Sequence, residues 1–388
     1  MEQDIVFTIF LIFTGAAVLA TVVLYARQAL LVAYILLGIL LGPSVLGLVS
    51  DPDLIGDIAH TGIMFLLFLM GLELNPREFL QLTRKTIVVT LTSSFAFWGS
   101  GTLLAMLLGY AFLEAMLMGS VMIFSSTIIG VKLLPTTVLH HQRTGEIIIS
   151  ILLLQDFIAM LLLLFIEGSS TPQHTVLELV KLALSLPLLI GGAILFVQNV
   201  LLRLLRKFDT FQEYVFLLAI GWCLGMAEAA VALGASHEIG AFVAGVTLAS
   251  SPISLYMAEN LKPLRDFFLV MFFFSLGAGF DLDILGTVLL PATAFALLAV
   301  AGKPPVFSHL LLRSGESRKR AREIGARLGQ LSEFSLLVSI LALEKDLIDN
   351  EISYLIQLST LLTFFASTYL VVLRYPTPIA LSEELRRN

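Results

Sequence analysis

The chain has 388 residues, of which 58% are hydrophobic and only 13% are charged, a composition that excludes an ordinary water-soluble domain. Its formal net charge of −6 is small, and its 23 Lys and Arg residues lie in short clusters, which argues against a nucleic-acid partner. The single cysteine, Cys223, excludes a disulfide framework and a cysteine-based metal cluster. We therefore expect an integral membrane protein whose main partner is the lipid bilayer.

Long apolar runs follow one another along the whole chain. A membrane-spanning helix needs about 20 mostly apolar residues, so these runs predict an all-α polytopic protein with about thirteen spans. The amino-terminal run lacks the positive segment of a cleaved signal peptide, and we expect it to be kept as the first span. The predicted spans lie at about residues 5–25, 29–48, 57–75, 86–109, 112–135, 146–166, 175–201, 211–231, 236–251, 264–281, 285–311, 321–344 and 352–373.

Basic residues lie on alternate connections between these spans. The odd-numbered connections contain the basic clusters at 84–85, 206–207 and 313–322, and the tail at 375–388 contains Arg386 and Arg387. The even-numbered connections contain Lys345 as their only basic residue. Connections that remain in the cytoplasm keep Lys and Arg. The pattern predicts an amino terminus outside and a carboxyl terminus in the cytoplasm.

Helix-breaking residues occur at corresponding places in the two halves. Span five contains Ser125, Ser126 and Thr127, and span twelve contains Gly329 and Ser332. Paired interruptions indicate the central site of a transporter, although small residues also serve close helix packing. Two oppositely oriented halves predict spans one to six and eight to thirteen as an inverted repeat, with span seven as the linker.

Charged residues inside the spans need an explanation, because a charge at the bilayer centre costs at least about 2.5–3.5 kcal/mol. Asp156 lies roughly 15 Å into span six, too deep to reach the interface, and is either an ion-binding carboxylate or an acid satisfied by a neighbouring helix. Lys303 in span eleven is its natural countercharge, or forms a purely structural pair. Arg327 and Glu333 flank the break in span twelve and could pair or line an entrance. Glu73 ends span three and fits an interface residue better than a ligand.

A single carboxylate in a cavity that opens to one side at a time predicts exchange chemistry. A proton and a monovalent cation compete for the same oxygens of Asp156, so downhill proton movement drives the cation the other way. Backbone carbonyls freed at the broken helices, with the hydroxyls of Ser126 and Thr127, could complete the oxygen shell of the cation.

Motifs spread over nearly the whole chain carry a family resemblance. They are residues 38–43, 65–74 ending in Gly-Leu-Glu-Leu, Phe-Ser-Ser-Thr at 124–127, Leu-Gln-Asp at 154–156, Gly-Ala-Phe-Val-Ala-Gly at 240–245, 272–279, Gly-Lys at 302–303, and Gly-Gln-Leu-Ser-Glu-Phe at 329–334. In this order they resemble bacterial cation:proton antiporters related to the Kef potassium/proton antiporters.

The resemblance implies a thirteen-span fold with two crossed broken helices in a core domain, a separate dimerisation domain, a homodimer and alternating access in the bacterial inner membrane. It implies one antiporter domain over residues 1–374, with span seven at about 175–201 as linker and a short cytoplasmic tail at 375–388. Asp156 would be the proton and cation acceptor, and Lys303 would be the core lysine. Gln155, next to Asp156, and the crossing residues Ser125 to Thr127 would be the other cation-binding residues.

The resemblance also bears on selectivity and regulation. Sodium-exchanging relatives tend to have a second aspartate where this chain has Gln155, and an amide oxygen offers a weaker field than a carboxylate, which favours the larger cation K⁺ over Na⁺. The resemblance also implies a cytoplasmic nucleotide-sensing regulatory domain of the kind that Kef proteins carry, which we expect as a partner outside this chain. We expect no cofactor, only transported K⁺ or Na⁺ and H⁺.

Other functions are compatible with the same sequence features. A Na⁺ or Li⁺/proton antiporter fits the same residues. A cation channel needs few charges but gives no reason for paired breaks beside one carboxylate, and a sodium-coupled organic-anion symporter shares the crossed-helix architecture. An intramembrane protease is the enzyme alternative, but Gly277 to Asp281 has one residue too many for the Gly-x-Gly-Asp element of aspartyl types.

Overall fold

The computed structural model describes residues 5–49, 52–73, 86–132, 134, 143–168, 187–208, 210–251 and 253–377. Regular structure in these residues is almost entirely helical, with a 3₁₀ turn at Leu282–Ile284 and π-helical turns at Val197–Leu201 and Leu298–Gly302. The helices are α1 Ile5–Tyr25, α2 Leu30–Leu41, α3 Pro52–Glu73, α4 Ile87–Leu107, α5 Phe112–Val121, α6 Thr127–Lys132, α7 Arg143–Gly168, α8 Pro187–Phe208, α9 Gln212–Ala232, α10 His237–Ala249, α11 Ile253–Ala278, α12 Leu285–Leu297, α13 Lys303–Arg313, α14 Arg318–Arg327, α15 Glu333–Glu344 and α16 Asn350–Arg374.

Seven helical runs in the described residues are long and apolar enough to cross a membrane. They are Val6–Tyr25, Ile87–Leu107, Arg143–Leu163, Pro187–Phe208, Gln212–Ala232, Leu282–Arg313 and Asn350–Arg374. Shorter apolar helices lie at Leu30–Leu41, Thr61–Leu72, Phe112–Val121 and His237–Ala249. The all-helical membrane fold is therefore confirmed, whereas the exact count of thirteen spans stays a prediction. The first part of predicted span seven, residues 175–186, lies outside the described residues.

Two of the predicted spans are interrupted where the sequence places breaking residues. The first break separates α5 from α6 and consists of residues 122–126, and the second separates α14 from α15 and consists of residues 328–332. Each new helix starts on a serine: Ser126 Oγ accepts from Ile129 N at 3.1 Å, and Ser332 Oγ accepts from Phe334 N at 3.2 Å. These side chains replace backbone acceptors that the first residues of a helix lack.

The chain forms two compact units. The first unit consists of Met1–Ala16, Tyr34–Phe79 and Glu167–Gly279. Its helices pack through glycines; a side chain at Gly245 in α10, for example, would overlap the carbonyl of Phe68 in α3. The expectation that the chain has a separate dimerisation domain stays a prediction.

The second unit consists of Ala17–Ala33, Leu80–Ile166 and Phe280–Asn388. Within it α16 packs against α12 and α15, and α4 packs against α5. Both helix breaks and all the charged residues predicted to lie deep in spans six, eleven and twelve belong to this unit. The candidate site is therefore built within one compact part of the chain.

Candidate ion-binding site at the helix crossing

The two helix breaks meet at Lys303. This side chain is fully buried, and its Nζ donates to the carbonyl of Phe124 in the first break at 2.7 Å and to the carbonyl of Gln330 in the second at 2.9 Å. The ammonium group also lies 5.3 Å from the centre of the Phe97 ring. A positive charge can replace the missing amide donors of two carbonyls at once, so Lys303 joins the two interrupted helices.

A second link runs directly between the two breaks. Ser125 Oγ in the first break donates to the carbonyl of Leu328 in the second at 3.0 Å. Gln330 Nε2 in the second break donates to the carbonyl of Ser126 in the first at 3.3 Å. The two broken helices therefore contact each other at their interruptions, as a crossed arrangement requires.

Asp156 lies next to this crossing. The residue is 5% exposed, and its carboxylate accepts from Thr127 Oγ1, with distances of 3.1 Å to Oδ2 and 3.4 Å to Oδ1. Thr127 is the first residue of α6, immediately after the break, and Asp156 lies in the middle of α7. The structure thus brings together the carboxylate and the hydroxyl that the sequence predicted as cation ligands; their role in binding stays a prediction.

Gln155 holds the first break in place. Its Oε1 accepts from the backbone N–H of Ser125 at 3.1 Å, and its Nε2 donates to the carbonyl of Ile123 at 3.0 Å. Both ends of the amide are therefore bonded to backbone in this structure. The predicted role of Gln155 as a cation ligand stays a prediction, and the observed bonds give it a positioning role.

Several backbone carbonyls at the first break accept hydrogen bonds from side chains of the protein. Ser335 Oγ donates to Val121 O at 3.0 Å, and the donors described above bind Ile123, Phe124 and Ser126. A carbonyl oxygen has two lone pairs, and the Ser126 carbonyl also accepts from the backbone N–H of Gly130 at 2.9 Å. The freed carbonyls expected as part of a cation shell are consequently shared with side chains of the protein.

Sequence reasoning missed residues on the last long helix. Thr363 Oγ1 accepts from the backbone N–H of Leu331 at 3.1 Å, and Ser367 Oγ donates to Gln330 Oε1 at 2.9 Å. With Ser359, these hydroxyls recur every fourth residue on α16, on one helical face, and all three are buried. That spacing in an otherwise apolar helix is the signal that could have found them.

The three other charged residues singled out in the predicted spans, Arg327, Glu333 and Glu73, have different surroundings. Arg327 is almost fully buried, and its Nη2 contacts Glu323 Oε1 at 3.0 Å and the Pro376 carbonyl at 2.8 Å, which fits the scaffolding reading. Glu333 begins α15, is 5% exposed and accepts from Ser332 Oγ at 3.4 Å. Glu73 ends α3, but its side chain lies outside the described part of the structure.

Comparison with known proteins decides the family. Residues 9–373 match the family described as "Sodium/hydrogen exchanger, transmembrane". The chain belongs to this exchanger family. Its members are transporters rather than enzymes, and the resemblance predicted from the sequence motifs is confirmed.

Two of the proteins similar to this chain are named as potassium efflux antiporters. The chain is 27% identical over 368 residues to K(+) efflux antiporter 4 of Arabidopsis thaliana, covering 93% of this chain and 62% of that protein. It is 31% identical over 349 residues to the protein named putative K(+) efflux antiporter KefB of Alkalimonas amylolytica, covering 88% of this chain and 52% of that protein. The chain thus spans about half to two thirds of the length of these relatives.

A solved structure supports the fold. The sodium proton antiporter MjNhaP1 from Methanocaldococcus jannaschii, solved at pH 8, superimposes with a TM-score of 0.64 over 94% of this chain and 95% of that chain. Sequence identity is 16%, so this comparison supports the fold and not the function.

A buried acid fastens the beginning of α7, the helix of Asp156. Glu316 lies in the connection between α13 and α14, its side chain is 5% exposed, and Arg143 Nη2 and Arg320 Nη1 approach its two oxygens at 2.5 and 2.6 Å. Burial by itself would raise the pKa of this carboxyl, but the hydrogen bonds and charges of Arg320 and Arg143 outweigh it. The pKa therefore lies below its ordinary value of 4.5.

Glu316→Gln is expected to destabilise the protein by about 1–2 kcal/mol, because a neutral amide replaces a charged acceptor of two arginines. Since the folded-state pKa is lowered, this contribution is fully present above the unfolded-state pKa and is lost as the pH falls through the folded-state value. Thermal unfolding in detergent should give the variant a lower melting temperature than the wild type at neutral pH. This difference in melting temperature should become smaller in acid. Glu213→Gln, at an exposed position, is the control; an equal loss in both variants would contradict the prediction.

Proposed function

We propose that this chain is a secondary active transporter that exchanges a monovalent cation, K⁺ in preference to Na⁺, for protons by alternating access. The observation that carries the proposal is the buried Asp156 carboxylate, bonded to Thr127 beside the crossing that Lys303 holds together. Burial at this depth disfavours a bare negative charge. A proton and an alkali cation each neutralise the carboxylate, and binding of one displaces the other.

The preference for K⁺ rests on Gln155 and on the named relatives. Where sodium-exchanging relatives tend to have a second carboxylate, this chain has an amide next to Asp156. A weaker field penalises the larger and less tightly hydrated cation less. Proteins named K(+) efflux antiporters match most of the chain and support the same choice.

Na⁺/H⁺ exchange is the second candidate. The family description and the structural neighbour named as a sodium proton antiporter favour it. The two candidates share the carboxylate and differ in the cation that competes with the proton, so the same measurement separates them.

The setting proposed for this activity is a bacterial inner membrane, with the amino terminus outside and the carboxyl terminus in the cytoplasm. The alternation of basic residues along the connections supports the orientation. We also propose that the chain works as a homodimer. We also propose a cytoplasmic nucleotide-sensing regulatory domain as a partner, as the sequence resemblance to Kef proteins implies.

Proteoliposomes that enclose a pH-sensitive dye test the exchange. With an outward-directed proton gradient, added K⁺ is expected to cause proton efflux at least as strongly as Na⁺ or Li⁺. A response to Na⁺ and Li⁺ alone would overturn the selectivity, and the absence of any response would overturn exchange. Cation flux without proton movement would indicate a channel, and cation flux that requires an organic anion would indicate a symporter.

A further inference from the structure

Gln330 connects three parts of the second unit through one side chain and one carbonyl. Its amide is fully buried; Nε2 donates to the carbonyl of Ser126 at 3.3 Å, and Oε1 accepts from Ser367 Oγ at 2.9 Å. Its own carbonyl accepts from Lys303 Nζ at 2.9 Å. The residue therefore touches the first break, the last long helix and the lysine that joins the breaks.

The two neighbours of the amide fix which way it points. The Ser126 carbonyl can only accept, so the NH₂ group must face it, and the amide oxygen must then face Ser367, whose hydroxyl donates. A side chain of this length needs one donor and one acceptor to satisfy both partners. Methionine has nearly the same shape and offers no donor, so a Gln330→Met change separates the hydrogen bonds from the packing.

The position that Gln330 holds is the start of α6. The Ser126 carbonyl also accepts from the backbone N–H of Gly130 at 2.9 Å, in the first turn of that helix. The next residue is Thr127, whose hydroxyl donates to Asp156. A shift of the Ser126 carbonyl consequently moves the hydroxyl that lies against the carboxylate.

We propose that Gln330 is a positioning residue for cation selectivity, which keeps the Thr127 hydroxyl against the Asp156 carboxylate through its bond to Ser126, and that Ser367 acts by orienting the Gln330 amide. The inference rests on the proposed exchange function. Oxygen sites discriminate between alkali cations through the number and placement of their ligands, so a loosened site discriminates less. Neither Gln330 nor Ser367 is required to touch the ion.

The test compares apparent KM and maximal rate for K⁺ and for Na⁺ in dye-loaded proteoliposomes. Gln330→Met is expected to raise the KM for the preferred cation by about ten-fold, to change the maximal rate by about two-fold or less, and to bring the ratio of the two KM values closer to one. A purely structural role would instead lower folded yield and maximal rate and leave both KM values unchanged.

A double-mutant cycle tests the part of Ser367. Ser367→Ala alone is expected to raise the same KM about three-fold, and the double variant is expected to match Gln330→Met, because Ser367 has no effect once the amide is gone. Additive effects would overturn the claim that Ser367 acts through Gln330. If Gln330→Met does not fold, Ser367→Ala still carries the test, through its KM ratio.

Gln357→Met is the matched control on the same helix as Ser367. The Gln357 amide donates to Ser353 Oγ at 3.2 Å, away from both breaks, and its loss is expected to leave both KM values within about two-fold of wild type. If the unmodified protein exchanges cations for protons and Gln330→Met has the same KM values, this inference is overturned and the proposed function stands. Absence of exchange in the wild-type protein would overturn the function itself.

Discussion

Asp156→Asn is expected to abolish cation-driven proton efflux in the proteoliposome assay. Asparagine neither releases a proton nor neutralises a cation, whereas two opposite charges 4 Å apart attract by about 4 kcal/mol at an effective dielectric of 20, or about a thousand-fold in affinity. The amide keeps the size of the carboxylate and an oxygen that can accept from Thr127 Oγ1, now 3.1 Å from Asp156 Oδ2. The variant should therefore fold normally and fail in transport.

Two further variants serve as controls for Asp156→Asn. Asp156→Glu keeps the charge but displaces it by one methylene, and we expect exchange with a raised KM. Asp283→Asn makes the same chemical change at an exposed position in the 3₁₀ turn Leu282–Ile284 and should exchange like wild type. Normal exchange by Asp156→Asn would place the ion-binding carboxylate elsewhere in the chain.

Lys303→Met is expected to cost both stability and exchange. The substitution fills a similar volume but leaves the carbonyls of Phe124 and Gln330, now 2.7 and 2.9 Å from Nζ, without their charged donor. Each hydrogen bond to a charged group contributes about 1.5–3 kcal/mol, so the two together predict a loss of about 3–6 kcal/mol. Thermal denaturation in detergent measures the stability, and the dye assay measures the exchange.

Two further variants test whether the effect of Lys303→Met depends on the buried position of this lysine. Lys319→Met, at an exposed position of α14, should leave both the melting temperature and the exchange close to wild type. Lys303→Arg keeps the charge and the donors but brings a larger planar group to a fully buried place, so partial recovery of stability is expected. A wild-type melting temperature in Lys303→Met would mean that its two hydrogen bonds do not hold the breaks together.

The same geometry refines the predicted partnership of Lys303 with Asp156. Sequence reasoning made the lysine the countercharge of the carboxylate. The structure gives its ammonium two backbone carbonyls from opposite breaks, while the carboxylate accepts from Thr127 beside one of those breaks. Lys303 has a clear structural task at the crossing, and its contribution to charge balance stays a prediction.

The sequence by itself determined the class of fold and the outline of the site. Apolar runs predicted membrane-spanning helices because a segment without internal polar groups is stable in lipid only when its backbone bonds to itself. Helix-breaking serines and glycines predicted the two interruptions, and Asp156 stood out as the acid that cannot reach the interface. All of these are local properties, which a single segment reveals without its neighbours.

Tertiary structure alone decided which groups satisfy each other at the crossing. Lys303 meets Phe124 across 179 residues of sequence, Ser367 meets Gln330 across 37, and Arg143 meets Glu316 across 173. No periodicity encodes such pairs, because a hydrogen bond depends on where two separate helices bring a donor and an acceptor within about 3 Å. The use of Gln155 and Gln330 as backbone partners therefore emerged only when the helices had been packed.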